Sequence, residues 1–127
     1  MVAAEEVVEA LPTEIVDVNW RWSRTQYSDN QWIEPKIRTY QLRFAQEDKL
    51  DVQISCKKMK GSYQVTKDLL SITIKQPLLN LKSCNDQAMD DTYLSDITRV
   101  VDYSIDDDRL VLELDNHEGF MYFSNKL

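Results

Sequence analysis

The sequence predicts a mainly β (α+β) domain: a strongly bent antiparallel sheet or small barrel of about seven to eight strands with one short helix. Two observations carry this. Apolar residues alternate with polar ones over short runs, the period of a half-buried strand, and Asp, Asn, Gly and Pro punctuate the gaps. Only one stretch places apolar residues three and four apart, the period of a helix.

The first strand has Val18, Trp20 and Trp22 on one face, with Asn19, Arg21 and Ser23 opposite. Residues 27–36 are rich in Ser, Asp, Asn and Pro and read as a long loop. Tyr40, Leu42 and Phe44 form the next strand, residues 46–49 turn the chain, and Leu50, Val52, Ile54 and Cys56 make another inward row. Gly61 is expected to take a positive φ in a turn before Tyr63 and Val65. Leu70, Ile72 and Ile74 follow, stopped at Pro77, which cannot donate to a ladder. Tyr103 and Ile105 run into the turn Asp106-Asp107-Asp108, and Leu110, Leu112 and Leu114 return. A second turn, Asn116-His117-Glu118-Gly119, leads to Met121 and Phe123.

The helix is expected over residues 86–99. Met89, Tyr93, Leu94 and Ile97, continued by Val100 and Val101, make one apolar stripe. Asn85 or Asp86 can cap its start, Asp90 and Asp91 suit the positive end of its dipole, and Arg99 suits the negative end.

The chain has 127 residues, 43% of them apolar, enough for one domain with a modest core. Residues 1–16 read as a flexible tail and 17–127 as the folded unit. Two glycines leave no room for a glycine-rich phosphate loop. No apolar run approaches the roughly 20 residues of a membrane span, so no transmembrane segment is expected. Residues 2–10 carry Glu5, Glu6 and Glu9 and lack the basic start of an export signal. The chain is therefore cytoplasmic, or a mature portion from which a signal was removed.

The net charge of −7 opposes nucleic acid and anionic lipid and favours neutral ligands, cations and basic protein surfaces. The one basic cluster, Lys57, Lys58 and Lys60, reads as a solvated loop. No catalytic residue, metal or cofactor is expected. The sole histidine, His117, sits in a polar turn, and no nucleophile elbow presents a serine to it. The three consecutive aspartates lack the glycine and distal glutamate of a calcium loop. Cys56 and Cys84 do not form a CxxC motif and lack companions for zinc; they read either as a disulfide or as two buried thiols. Trp20 and Trp22 read as core. Trp32, in a polar loop, is with Tyr27 the first interaction surface to test.

The ordered fragments resemble the META domain, the family of the bacterial heat-inducible protein HslJ. The resemblance runs from about Val18 to Ser124. It rests on Trp20-Arg21-Trp22, Tyr40-Gln41-Leu42-Arg43-Phe44 with Asp48, Cys56, Gly61-Ser62-Tyr63 and Leu70-Ser71-Ile72-Thr73-Ile74. Cys84, Tyr93-Leu94-Ser95-Asp96-Ile97, Tyr103-Ser104-Ile105, Leu110-Val111-Leu112-Glu113-Leu114 and Gly119-Phe120-Met121-Tyr122-Phe123 complete it. Lys57 stands where the family commonly has Asn after the first cysteine, so that residue's role does not carry over. The resemblance implies a small barrel-like sheet with a helix and a secreted, periplasmic or lipid-anchored location, and it brings no established enzymatic activity. It favours the Cys56–Cys84 disulfide, which would add roughly 3 kcal/mol by loop closure. The function expected is that of a non-catalytic, monomeric envelope module that binds a protein partner or supports the envelope under stress. The alternative is a small barrel carrying a lipid or other apolar ligand.

Overall fold

A computed structural model describes residues 8–9, 11–36, 40–54, 57–66, 69–74 and 87–126. Its strands are β1 (Val8–Glu9), β2 (Trp20–Tyr27), β3 (Trp32–Ile33), β4 (Gln41–Phe44), β5 (Lys49–Ile54), β6 (Lys57–Thr66), β7 (Leu69–Ile74), β8 (Val100–Asp106), β9 (Arg109–Leu114) and β10 (Gly119–Ser124). The helix α1 spans Gln87–Ile97. Eight strands close an antiparallel barrel in the order β6-β5-β4-β2-β10-β9-β8-β7, with β7 returning to β6. The short β1 and β3 add to β6 and β2.

Strand alternation sends one residue of each pair inward, and the registers stack these residues into layers. Trp20, Leu42, Val52 and Met59 make one lateral row. Trp22, Phe123, Leu110 and Ile105 make another. Trp20, Leu42, Phe44, Leu110, Leu112 and Phe123 are entirely buried. The interior is filled by side chains, as small barrels of this strand number commonly are. Tyr93, Leu94 and Ile97 of α1 are buried with them. The Tyr93 ring lies 5.0 Å from that of Trp22, 5.2 Å from Tyr40 and 6.4 Å from Phe123.

The alternating strands, the helix stripe and the tryptophan core follow the sequence. Five details differ. Residues 11–16 are not a loose tail: Leu11 and Ile15 are buried, and Trp20 Nε1 donates to the Ile15 carbonyl at 3.0 Å. The expected loop over 27–36 is a short hairpin in which Tyr27 N donates to Gln31 O at 2.8 Å and Trp32–Ile33 pairs β2. Gly61 does not form a turn but lies inside β6, opposite Leu50 on one side and Ile74 on the other. Lys57, Lys58 and Lys60 are strand residues of β6 rather than a loop. Finally, α1 ends at Ile97 and Val100 opens β8, because Arg99 N closes a turn on Asp96 O at 3.0 Å and β-branched valines suit a strand. Asn85, Asp86 and Pro77 lie outside the described residues.

Among the described residues, the positive φ values at non-glycine positions fall in turns and in the short 3-10 segment Asp115–His117. Glu47 and Asp48 both have φ of 61° in the turn that joins β4 to β5.

Candidate functional site

The outward rows of β3, β2, β10 and β9 form an exposed aromatic band. Trp32 pairs with Gln26, Gln26 with Phe120, and Phe120 with Glu113, so the four share a lateral row on the outer wall. Trp32 is 53% exposed and Phe120 is 40% exposed. One row along, Tyr122 lies between Arg24 and Val111, and the Arg24 guanidinium stacks 4.9 Å from the Tyr122 ring. The first row continues through Glu113 to Asp102 and then Leu69, the third large exposed apolar side chain. Aromatic groups held in water on a rigid wall, bordered by Glu113 and Asp102, have the anatomy of an interaction surface.

Tyr27 does not belong to that surface. It points inward, and its hydroxyl donates to Asp96 Oδ2 of α1 at 2.6 Å. Asp96 is buried, with Arg99 Nη1 3.8 Å from Oδ1. Arg99 in turn places Nε 3.1 Å from Asp115 Oδ1 and bonds Glu118. Backbone bonds lock the same group: Asp115 N to Arg99 O at 2.9 Å and Ser28 N to Glu118 O at 3.0 Å. One arginine thus joins the end of the helix to the turn that starts β10 and braces the wall carrying Phe120 and Trp32. Gly119 allows a close backbone approach here, since a Cβ would meet the Gln26 carbonyl at 2.5 Å.

Burial raises the Asp96 carboxyl above its ordinary value, against the lowering effects of the Tyr27 hydrogen bond and Arg99. Burial and the bond to Asp96 push the Tyr27 phenol well up, so it stays a donor at every physiological pH. A carboxyl with a raised folded pKa holds more protons folded than unfolded, so its contribution falls as pH rises from about 3.8 through the folded value. The Asp96→Asn variant keeps an acceptor for Tyr27 and cannot ionise. Its stability relative to wild type is therefore expected to rise between pH 3 and pH 7 in urea titrations. A relative fall over that range would mean that Arg99 outweighs burial.

Several other sequence candidates fall in the core or in turns. Trp20 and Trp22 are core, and Trp22 Nε1 donates to the buried Thr25 hydroxyl at 2.9 Å. His117 lies in the turn before β10, its side chain 94% exposed and 3.3 Å from Glu113. Asp107 and Asp108 make the β8–β9 hairpin, and Asp108 pairs with Lys126 at 2.8 Å. Cys56 and Cys84 lie outside the described residues. Among the described residues, no group of three or more His, Cys, Asp or Glu is arranged to hold a metal ion, and no helix is long and apolar enough to cross a membrane. Phe120 was not among the sequence candidates, although the pattern contains it: with Met121 and Phe123 inward, Phe120 and Tyr122 must face out.

The molecule is a small closed β-barrel whose helix is tied to it by hydrogen bonds from Tyr27 to Asp96 and from Tyr40 to Asp90. The chain belongs to the META domain family, whose model matches residues 13–126. Its fold is similar to that of a DUF4847 family protein from Bacteroides vulgatus, with a TM-score of 0.68 at 12% identity over 88% of this chain and 94% of that one. A protein from Burkholderia xenovorans, solved by NMR, matches with a TM-score of 0.66 at 16% identity over 99% of this chain and 97% of that one. Comparison with curated proteins gives no match.

Proposed function

We propose that this META domain protein is a non-catalytic, monomeric binding module of the cell envelope that presents its Trp32–Phe120–Tyr122 band to a protein partner. The observation that carries the reading is the alignment of Trp32 and Phe120 in one row of a braced wall. The acidic border of Glu113 and Asp102, with the net charge of −7, favours a partner segment that is apolar and basic. A non-catalytic role fits the solvent-facing His117, whose hydrogen bond goes to Glu113. The envelope location rests on the family resemblance. The carrier alternative has less support, because large buried side chains already occupy the interior that a lipid would need.

The double variant Trp32→Ala, Phe120→Ser is expected to release a partner that wild type retains when crosslinked in envelope fractions, while stability changes by no more than about 0.5 kcal/mol. Partners retained equally by wild type and variant would refute the assignment. Titration of Cys56 and Cys84 in protein taken from its native compartment tests the location: two free thiols contradict an oxidising one.

A further inference from the structure

The lysines of β6 lie on a different part of the wall, three strands round from the aromatic band. Lys58 and Lys60 face outward, beside a groove of about 360 Å³ along β4, β5 and β6 that Asn19, Gln41, Arg43, Asp51 and Gln53 also line. Two lateral rows of outward residues run along it, the second reaching past its lining to Arg21 on β2. In the first, charges satisfy one another: Arg43 lies 3.1 Å from Asp17 and 3.4 Å from Asp51, and Lys60 lies 2.7 Å from Asp51. Gln46 adds a bond to Asp17 at 3.1 Å. Both bonding and charge from Lys60 help hold Asp51 ionised.

The second row is Arg21, Gln41, Gln53 and Lys58, set side by side by the registers of four strands. Its two end cations have no hydrogen-bond or ion-pair partner among the described residues. An ordinary solvated strand face neutralises cross-strand charges, as the neighbouring row does. Here two cations stand apart with amides between them. Three inter-strand spacings separate them by about 14 Å, which matches four residues of extended chain at about 3.4 Å each.

We propose that this groove binds an extended acidic peptide segment with two carboxylates four residues apart, one meeting Arg21 and the other Lys58. The side-chain amides of Gln41 and Gln53 lie where the peptide backbone between the carboxylates would pass. Two separate cations with amides between them suit two discrete carboxylates better than the dense, evenly spaced phosphates of a nucleic acid. The site shares no residue with the aromatic band, so it stands or falls independently of the function proposed above.

The test uses the full chain and a short fluorescent peptide with glutamates four residues apart. Comparison peptides carry glutamines at the same places or adjacent glutamates. The first peptide is expected to bind selectively, to shift the Gln41 and Gln53 side-chain amide resonances, and to weaken with added salt. Arg21→Ala with Lys58→Ala should weaken it about tenfold, the size of two half-exposed charge contacts. The same variant should keep its thermal midpoint, which separates lost binding from lost folding. No binding at millimolar peptide, equal binding of either comparison peptide, unchanged affinity in the double variant, or displacement by a single-stranded oligonucleotide would each overturn the proposal.

Discussion

Replacing Gly61 with alanine is expected to destabilise the barrel by about 2–3 kcal/mol, the cost of forcing atoms into a packed position. Gly61 lies midway along β6, where the strand pairs β5 through Leu50 and β7 through Ile74. It faces the interior and is buried. A Cβ would sit 2.4 Å from the Thr73 carbonyl and 3.3 Å from the Ile74 side chain. The carbonyl is backbone, so relief requires β7 to move away from β6, which weakens the ladder that closes the barrel. Alanine also lowers the entropy of the unfolded chain, but that gain is only about 0.4–1 kcal/mol and does not offset the clash. The denaturant midpoint reads the result. A variant within about 0.5 kcal/mol of wild type would show that β7 can shift freely, and the barrel seam would then be looser than the register implies.

This position also shows where the sequence stops being legible. Gly61 is bordered by polar residues and precedes Tyr63, a local pattern that fits a turn; its actual role depends on Thr73, a strand away. The alternation in β4, β5, β7 and β9 was readable because each strand has one wet face and one dry one. The helix stripe through Met89, Tyr93, Leu94 and Ile97 was readable for the same reason. Val100 and Val101 continued that spacing by coincidence, and the turn that ends the helix depends on Arg99 reaching Asp115 and Glu118.

Segments too short to show a period were missed. Trp32–Ile33 is a strand of two residues, and Leu11 and Ile15 dock through tertiary contacts such as the bond from Trp20. The candidate surface was half legible. Trp32 stands out as an apolar residue in a polar stretch, whereas the β2–β3 hairpin sends Tyr27 to the opposite face of the wall. The row joining Trp32 to Phe120 crosses 88 residues of sequence and exists only in the register. The groove has the same origin, since Arg21 and Lys58 share a row only through two intervening strands.

Tyr93 gives the most informative pair of variants for the helix. Its ring packs among Trp22, Tyr40 and Phe123, with a T-shaped contact to Tyr40 at an interplanar angle of 72°. Among the described residues, its hydroxyl is buried without a hydrogen-bond partner. Burial raises the phenol far above its ordinary pKa, so the group is neutral and its cost is that of a desolvated hydroxyl. Tyr93→Phe keeps the ring and removes the orphaned oxygen, and is expected to raise stability by about 1–2 kcal/mol. Tyr93→Ala removes the ring as well and leaves a cavity beneath α1, with an expected loss of about 3–5 kcal/mol. Opposite signs from the same position separate the packing of the ring from the burden of the hydroxyl. Urea unfolding of both variants measures the difference. A phenylalanine variant less stable than wild type would mean that a buried water satisfies the hydroxyl, and the interior would then hold a polar site where the packing shows an apolar one.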